Sequence, residues 1–207
     1  MKKILMFSFI FYAIISASCS TIDVAVSKKE NVKSKIKKIA VFPFDIKDAK
    51  WGDEFSDSIA HHFFKNGKVD IVERDALEKI LKEQNLSMTG LIDQSKALKI
   101  GKLIGADLIL LGRGSALKLK DSEENTIKNL IDTFSLKAIN VETGSIILTV
   151  RKESGRDWDA EYRAKWILSF GLIWDRRDVL IQSSNYDEIA EKIVDKILEA
   201  IKDIETK

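Results

Sequence analysis

The sequence predicts an α/β fold in which helices cover a mixed sheet. Three observations carry that prediction. Short apolar runs rich in β-branched and aromatic residues alternate with amphipathic stretches over 37–112. Two further runs flank a glycine turn at 134–150, and a long amphipathic stretch follows at 186–204.

The first run, Ile39 to Phe44, fits a buried strand that ends near Pro43, the single proline of the chain. Trp51 to Lys65 carries Phe55, Ile59, His62 and Phe63 at helical spacing, and Asn66 with Gly67 stops it. Val69 to Val72 is a second strand. Asp75 is placed to cap a helix whose Leu77, Ile80 and Leu81 share one face. After a turn at Ser87 to Gly90, Asp93 or Ser95 can cap the next helix. Its Ala97, Leu98, Ile100, Gly101 and Ile104 face inward, and Gly105 ends it. Ala106 to Gly112 is a strongly apolar third strand, and residues 121–129 read as a polar connection. Phe134 to Val141 and Ser145 to Val150 form a hairpin around Glu142, Thr143 and Gly144. Tyr186 to Ile204 is an amphipathic helix with a stripe of Ile189, Ile193, Ile197, Leu198 and Ile201.

The start of the chain reads as an export signal. Lys2 and Lys3 precede an apolar run, Ile4 to Ile15, and Ser16, Ala17 and Ser18 are small residues ahead of Cys19. That run is about 18 Å long as a helix against a hydrocarbon core of about 30 Å, too short for a comfortable span. A small residue and then cysteine at the end of such a run resembles the lipobox of bacterial lipoproteins, with Ser16 where leucine is usual. The resemblance implies acylation (palmitate among the chains) of Cys19, the only cysteine. Several acyl chains on one residue hold a membrane stably, where one does not. The expected organisation is a signal peptide over 1–18, a lipidated N-terminus and tether over 19–36, and an α/β domain over 37–207. Ser20 to Lys35 would give the tether a mean reach of about 22 Å.

Charge excludes one large class of partner. The 207 residues carry 34 basic and 32 acidic groups. Removing 1–18 takes away Lys2 and Lys3 and no acid, which leaves the 189-residue remainder neutral. Nucleic-acid binding needs a localised basic excess, so nucleic acid is not an expected partner. The lysine-rich stretch from Lys28 to Lys38 reads as a solvated part of the tether.

Four stretches together resemble the CsgG-type curli-secretion lipoproteins and their relatives. They are KIAVFPFD at 38–45, VERDALEKILKEQ at 72–84 with the turn that follows, GKLIGAD at 101–107, and NVETG at 140–144. The resemblance implies a periplasmic α/β domain of the anticodon-binding-like or TolB N-terminal-like kind, on a lipoprotein of the outer membrane facing the periplasm. In the curli channel such a domain also carries two membrane hairpins. The first would fall at about 115–132, where Lys118, Lys120, Asp121, Glu123, Glu124, Lys128 and Asp132 leave no lipid-facing alternation. The resemblance therefore points to relatives with the domain alone, which include lipoproteins that activate peptidoglycan synthases. It implies a non-enzymatic protein that binds or scaffolds an envelope partner, a cell-wall synthase or a surface-structure assembly. The alternative it implies is an oligomeric curli-type export component, and so a homo-oligomer.

Residues 155–182 hold the candidate contact surface. Trp158, Tyr162, Trp166, Phe170 and Trp174 recur every four residues and make a continuous aromatic face whether the segment is helix or strand. Packing on the sheet, a protein partner or a membrane interface would each use such a face. Catalytic candidates are weak. His61 and His62 are adjacent on a helix, about 100° apart, which predicts one packed and one solvated side chain and no metal pair. Glu73 and Arg74 suit the anchoring of a strand-to-helix turn. Gly112, Arg113 and Gly114 lack the strand-loop-helix setting of a nucleotide site. The sequence thus predicts no catalytic residues, no metal, no cofactor and no small-molecule substrate.

Overall fold

The protein is described from a computed structural model covering residues 22–27, 36–49, 51–84, 93–120, 126–153 and 186–205. Residues 22–153 with 184–207 form one compact unit. All the described residues belong to it.

Its elements run β1 (Ile22–Val26), β2 (Lys38–Val41), β3 (Asp45–Lys47), α1 (Gly52–Asn66), β4 (Asp70–Ile71), α2 (Arg74–Glu83), α3 (Gln94–Leu103), β5 (Leu108–Lys120), β6 (Thr126–Asn140), β7 (Ile146–Lys152) and α4 (Tyr186–Glu205). The seven strands form one mixed sheet in the order β1-β7-β6-β5-β2-β4, with β3 continuing along β5 beyond β2. β2 is parallel to β4 and β5, and β3 is parallel to β5. The pairs β5–β6, β6–β7 and β1–β7 are antiparallel. This is the mixed sheet flanked by helices that the alternation of runs predicts.

Side chains alternate between two cores, as strand geometry requires. On one face Leu108, Leu110, Phe134, Leu136, Leu148 and Val150 pack with α1 and α4. On the other, Ala40, Phe42, Ile109 and Ile139 pack with α2 and α3. The α4 stripe is seated as predicted, with Ile193 and Ile197 wholly buried and Leu198 and Ile201 nearly so. Each such residue contributes about 1.5–3 kcal/mol of transfer free energy.

Local chemistry explains the boundaries. Gly67 closes α1 in the left-handed conformation, φ 69°, donating back to the carbonyls of Phe63 and Phe64. Asp93 caps α3 by accepting from the Ser95 backbone N–H at 3.3 Å. The β6–β7 turn is built by Asn140, whose Oδ1 accepts from the N–H groups of Glu142 and Thr143 at 2.9 and 3.0 Å, with Gly144 at φ 73°. Asp107 stitches β2 to the start of β5, its Oδ2 accepting from the N–H groups of Lys37 and Lys38 at 2.8 and 2.9 Å.

Four expectations are corrected. Residues 22–26 are an edge strand paired to β7, with Ile22 buried, so the stretch read as tether is structured in part and the fold begins before Lys37. Strand-compatible Ile-Asp-Val-Ala-Val lies hidden in that stretch because polar residues on both sides mask its short alternation. The third strand does not end at Gly112: β5 reaches Lys120 and pairs with β6 back to Thr126, so residues 126–129 of the expected connection, and 115–120 with 126–132 of the interval expected to lack strand, are ribbon. Asp75 is not a cap, because α2 starts at Arg74 with Glu73 at the N-cap position, which leaves Asp75 inside the first turn. The first strand stops at Val41, and Phe42 leaves it to pack with α2 and α3.

A bulge at Asp132 interrupts the β5–β6 ladder between Ser115 and Ala116. The Asp132 carbonyl there accepts from the Lys152 ammonium at 2.8 Å, which gives that 5% exposed lysine a polar contact inside the sheet.

Candidate functional site

Two polar groupings and one aromatic grouping stand out among the described residues. The first joins α1 to α4. Ser58 and His62 are four residues apart and so share one face of α1. Both meet Asp187 in the first turn of α4: the Ser58 hydroxyl donates to Asp187 Oδ1, and His62 Nε2 lies 3.2 Å from the same oxygen. The serine, histidine and aspartate are those of a hydrolase triad, but their order is wrong. In a triad the imidazole stands between hydroxyl and carboxylate and takes the hydroxyl proton. Here the carboxylate stands between, and the hydroxyl hydrogen is spent on it. The cluster pins two helices. The Ser58 hydrogen bond holds the Asp187 carboxyl below its usual range, partial burial opposes this, and His62 adds to it.

The second grouping surrounds Arg74. Its guanidinium reaches Asp53 at 3.1 Å, Asp57 at 2.6 Å and Glu78 at 2.9 Å. Partial burial works against its charge, but hydrogen bonds to Asp57 and Glu78 and the charges of Asp57 and Asp53 outweigh that and raise its pKa. Arg74 ties α2 to α1. The anchoring role expected of Glu73 with Arg74 therefore falls to Arg74 with carboxylates from two helices. A five-donor fork filled on three sides has little left for a substrate.

The third grouping is aromatic. Trp51 and Tyr186 stack with centroids 5.5 Å apart, above a buried set in which Phe55 lies 4.9 Å from Phe134 and 5.5 Å from Phe44. Phe134 and Phe55 are fully buried, and this set is core.

The histidine expectation holds: His62 is 8% exposed and His61 is exposed. Gly112 and Gly114 lie inside β5, not in a phosphate loop, and a Cβ on Gly112 would stand 2.5 Å from the Phe44 ring. Among the described residues no group of three or more His, Cys, Asp or Glu is arranged to hold a metal. Nor is any described helix long and apolar enough to cross a membrane. Cys19 and the aromatic series Trp158, Tyr162, Trp166, Phe170 and Trp174 lie outside the described residues. Sequence reasoning missed Ser58, Asp187, Asp53 and Asp57. The i, i+4 spacing of Ser58 and His62 was a legible signal, whereas a contact to Asp187 from 125 residues away was not.

The described unit is thus a mixed α/β domain whose polar constellations are spent on holding helices together. Residues 52–153, just under half of the chain, match a family model described as peptidoglycan-synthase activator LpoB. Among solved structures, the LpoB C-terminal domain from Escherichia coli matches at 18% identity, covering 67% of this chain and 90% of that one, with a TM-score of 0.43. The same domain from Salmonella enterica matches at 18% identity, 58% and 84% coverage and a TM-score of 0.43. A PelC dodecamer from Paraburkholderia phytofirmans matches at 15% identity, 87% and 96% coverage and a TM-score of 0.42. No curated protein matches the chain. Of the relatives implied by the sequence resemblance, the synthase activators gain support from the family-model match and the curli-secretion proteins do not.

Proposed function

We propose that this protein is a non-enzymatic lipoprotein, anchored through Cys19 in the outer membrane and facing the periplasm, that binds and activates a peptidoglycan synthase. The match of residues 52–153 to the activator family carries this reading. The signal-like N-terminus and the structural duty of every polar cluster described above agree with it. Activation of this kind is work by contact: an anchor confines the domain near its target and raises the effective concentration of the encounter.

The position of β1 sharpens the anchor. Only three residue steps separate Cys19 from Ile22, the first residue of the sheet. That length reaches about 10 Å at most, less than half of the expected tether. A lipid on Cys19 would then hold the edge strand close to the membrane surface. The test is capture: the purified lipidated chain, immobilised in detergent, should retain a peptidoglycan synthase from a membrane extract of the same bacterium. Retention of no synthase, or equal retention by an unrelated lipoprotein, would overturn the reading.

A further inference from the structure

The α2/α3 side of the sheet is covered along only part of its length. The residues of that core on β5 end at Leu111. Beyond it no hydrophobic residue among those described covers the same face, and the strand registers set one row of residues across five strands. Asp45 of β3 is opposite Arg113 of β5, Arg113 opposite Ser135 of β6, Ser135 opposite Arg151 of β7, and Arg151 opposite Asp23 of β1. Lys137 stands two residues along β6 from Ser135, on the same face.

Arg113 and Arg151 are exposed, and Ser135 and Lys137 are half-buried. Residues directly opposite have Cβ atoms about 4.5–5.5 Å apart, so the two guanidinium stems flank Ser135 at about 10 Å from each other. The acids at the ends of the row are each adjacent to an arginine, yet no described carboxylate pairs with Arg113 or Lys137. Among the described residues Arg151 has one ion pair, a loose one to Glu153 at 3.8 Å, with both side chains well exposed. In a chain whose charges balance, the row reads negative, positive, neutral, positive, negative.

We propose that this open face, centred on Ser135, is a docking surface for an acidic, extended segment of a protein partner lying along β6. Charge complementarity decides the occupant. The positive zone runs from β5 to β7, about 10 Å, and is bounded by Asp45 and Asp23. A broad anionic surface such as a bilayer would meet those acids along with the arginines. A single extended chain avoids them, and its alternate side chains, about 6.8 Å apart, match the step from Ser135 to Lys137. Arginine suits the task because its fork takes a carboxylate with two parallel hydrogen bonds. The inference rests on the proposed function for the identity of the partner, a segment of the synthase, but not for the chemistry of the surface.

The probe is a fluorescein-labelled twelve-residue peptide of alternating Glu and Ser, titrated into the full chain at low salt and followed by anisotropy. The expected result is saturable binding that weakens at least tenfold in Arg113→Glu/Arg151→Glu and less in Arg113→Lys/Arg151→Lys, which keeps the charge and loses the fork. Equal binding by the wild type and the Glu variant, or none by the wild type, overturns the proposal. So does stronger binding to vesicles of 30% phosphatidylglycerol that is lost in the same Glu variant, which would make the face a lipid surface. Circular dichroism of each variant confirms the fold. If the synthase is captured equally by the wild type and the Glu variant, the surface is wrong and the activator reading stands. If the peptide binds as expected and no synthase is captured, the surface stands and the activator reading falls.

Discussion

Two phenylalanines on one helix offer a matched test of the core. Phe55 and Phe64 both belong to α1, and the same substitution, phenylalanine to alanine, can be made at each. Phe55 is 0% exposed, with its ring 4.9 Å from Phe134, 5.5 Å from Phe44 and 6.3 Å from Trp51. Truncating a buried phenylalanine costs about 3–5 kcal/mol. The lost edge-to-face pairs, each worth about 0.5–1.5 kcal/mol, place Phe55→Ala in the upper part of that range. Phe64 is 75% exposed, so Phe64→Ala should change stability by no more than about 0.5 kcal/mol. Helix propensity cannot separate the two, because both lie within α1. Urea unfolding of the purified chain, followed by far-UV circular dichroism, reads the difference. With a slope of about 2 kcal/mol per molar urea, Phe55→Ala should lower the midpoint by roughly 2–2.5 M while Phe64→Ala leaves it in place. Comparable shifts in the two variants would mean that α1 does not bury the face described here. A loss below about 1.5 kcal/mol at Phe55 would refute the central place of the aromatic set.

Other outcomes follow from the polar clusters. Arg74→Met should cost about 1–2 kcal/mol, read as a lowered Tm, because three carboxylates lose their common cation. Arg74→Lys should recover little of it, since an ammonium cannot fork. An unchanged Tm in Arg74→Met would show that the cluster does not hold α2 to α1. Asp187 has a depressed folded-state pKa, so its contribution is fully present above the unfolded carboxyl value of about 3.9 and is lost as pH falls through the lower folded one. Ser58→Ala removes the largest cause and should raise the Asp187 pKa measured by carboxyl NMR titration. The wild type's stability advantage over that variant should shrink below about pH 4. No upward shift would refute the pin. Gly112→Val should cost about 1–3 kcal/mol by forcing the Phe44 ring aside, and unfolding at an unaltered midpoint would contradict that packing.

Much of the fold is legible in the sequence where periodicity is sustained. The α4 stripe, the α1 stop at Gly67 and the β6–β7 turn all come from local rules, and the structure keeps them. What escapes is set by pairing partners distant in sequence. β1 is five residues long and becomes a strand because β7 offers it an edge, with Val24 opposite Val150 and Val26 opposite Leu148. The ends of β5 and β6 are polar, and they extend as strand because each supplies the other's ladder. Asp187 is an ordinary first-turn acid until α4 docks on α1. The open face around Ser135 is invisible to any window of sequence, because its residues come from five strands and only register brings them into one row.

The protein is proposed to act by contact on a cell-wall synthase. The most direct test is the glycan polymerisation rate of a purified synthase from the same bacterium, measured with and without the lipidated chain at equimolar amounts. The expected result is a several-fold rise in rate that is diminished by Arg113→Glu/Arg151→Glu. An unchanged rate, with no complex between the two proteins, would contradict it.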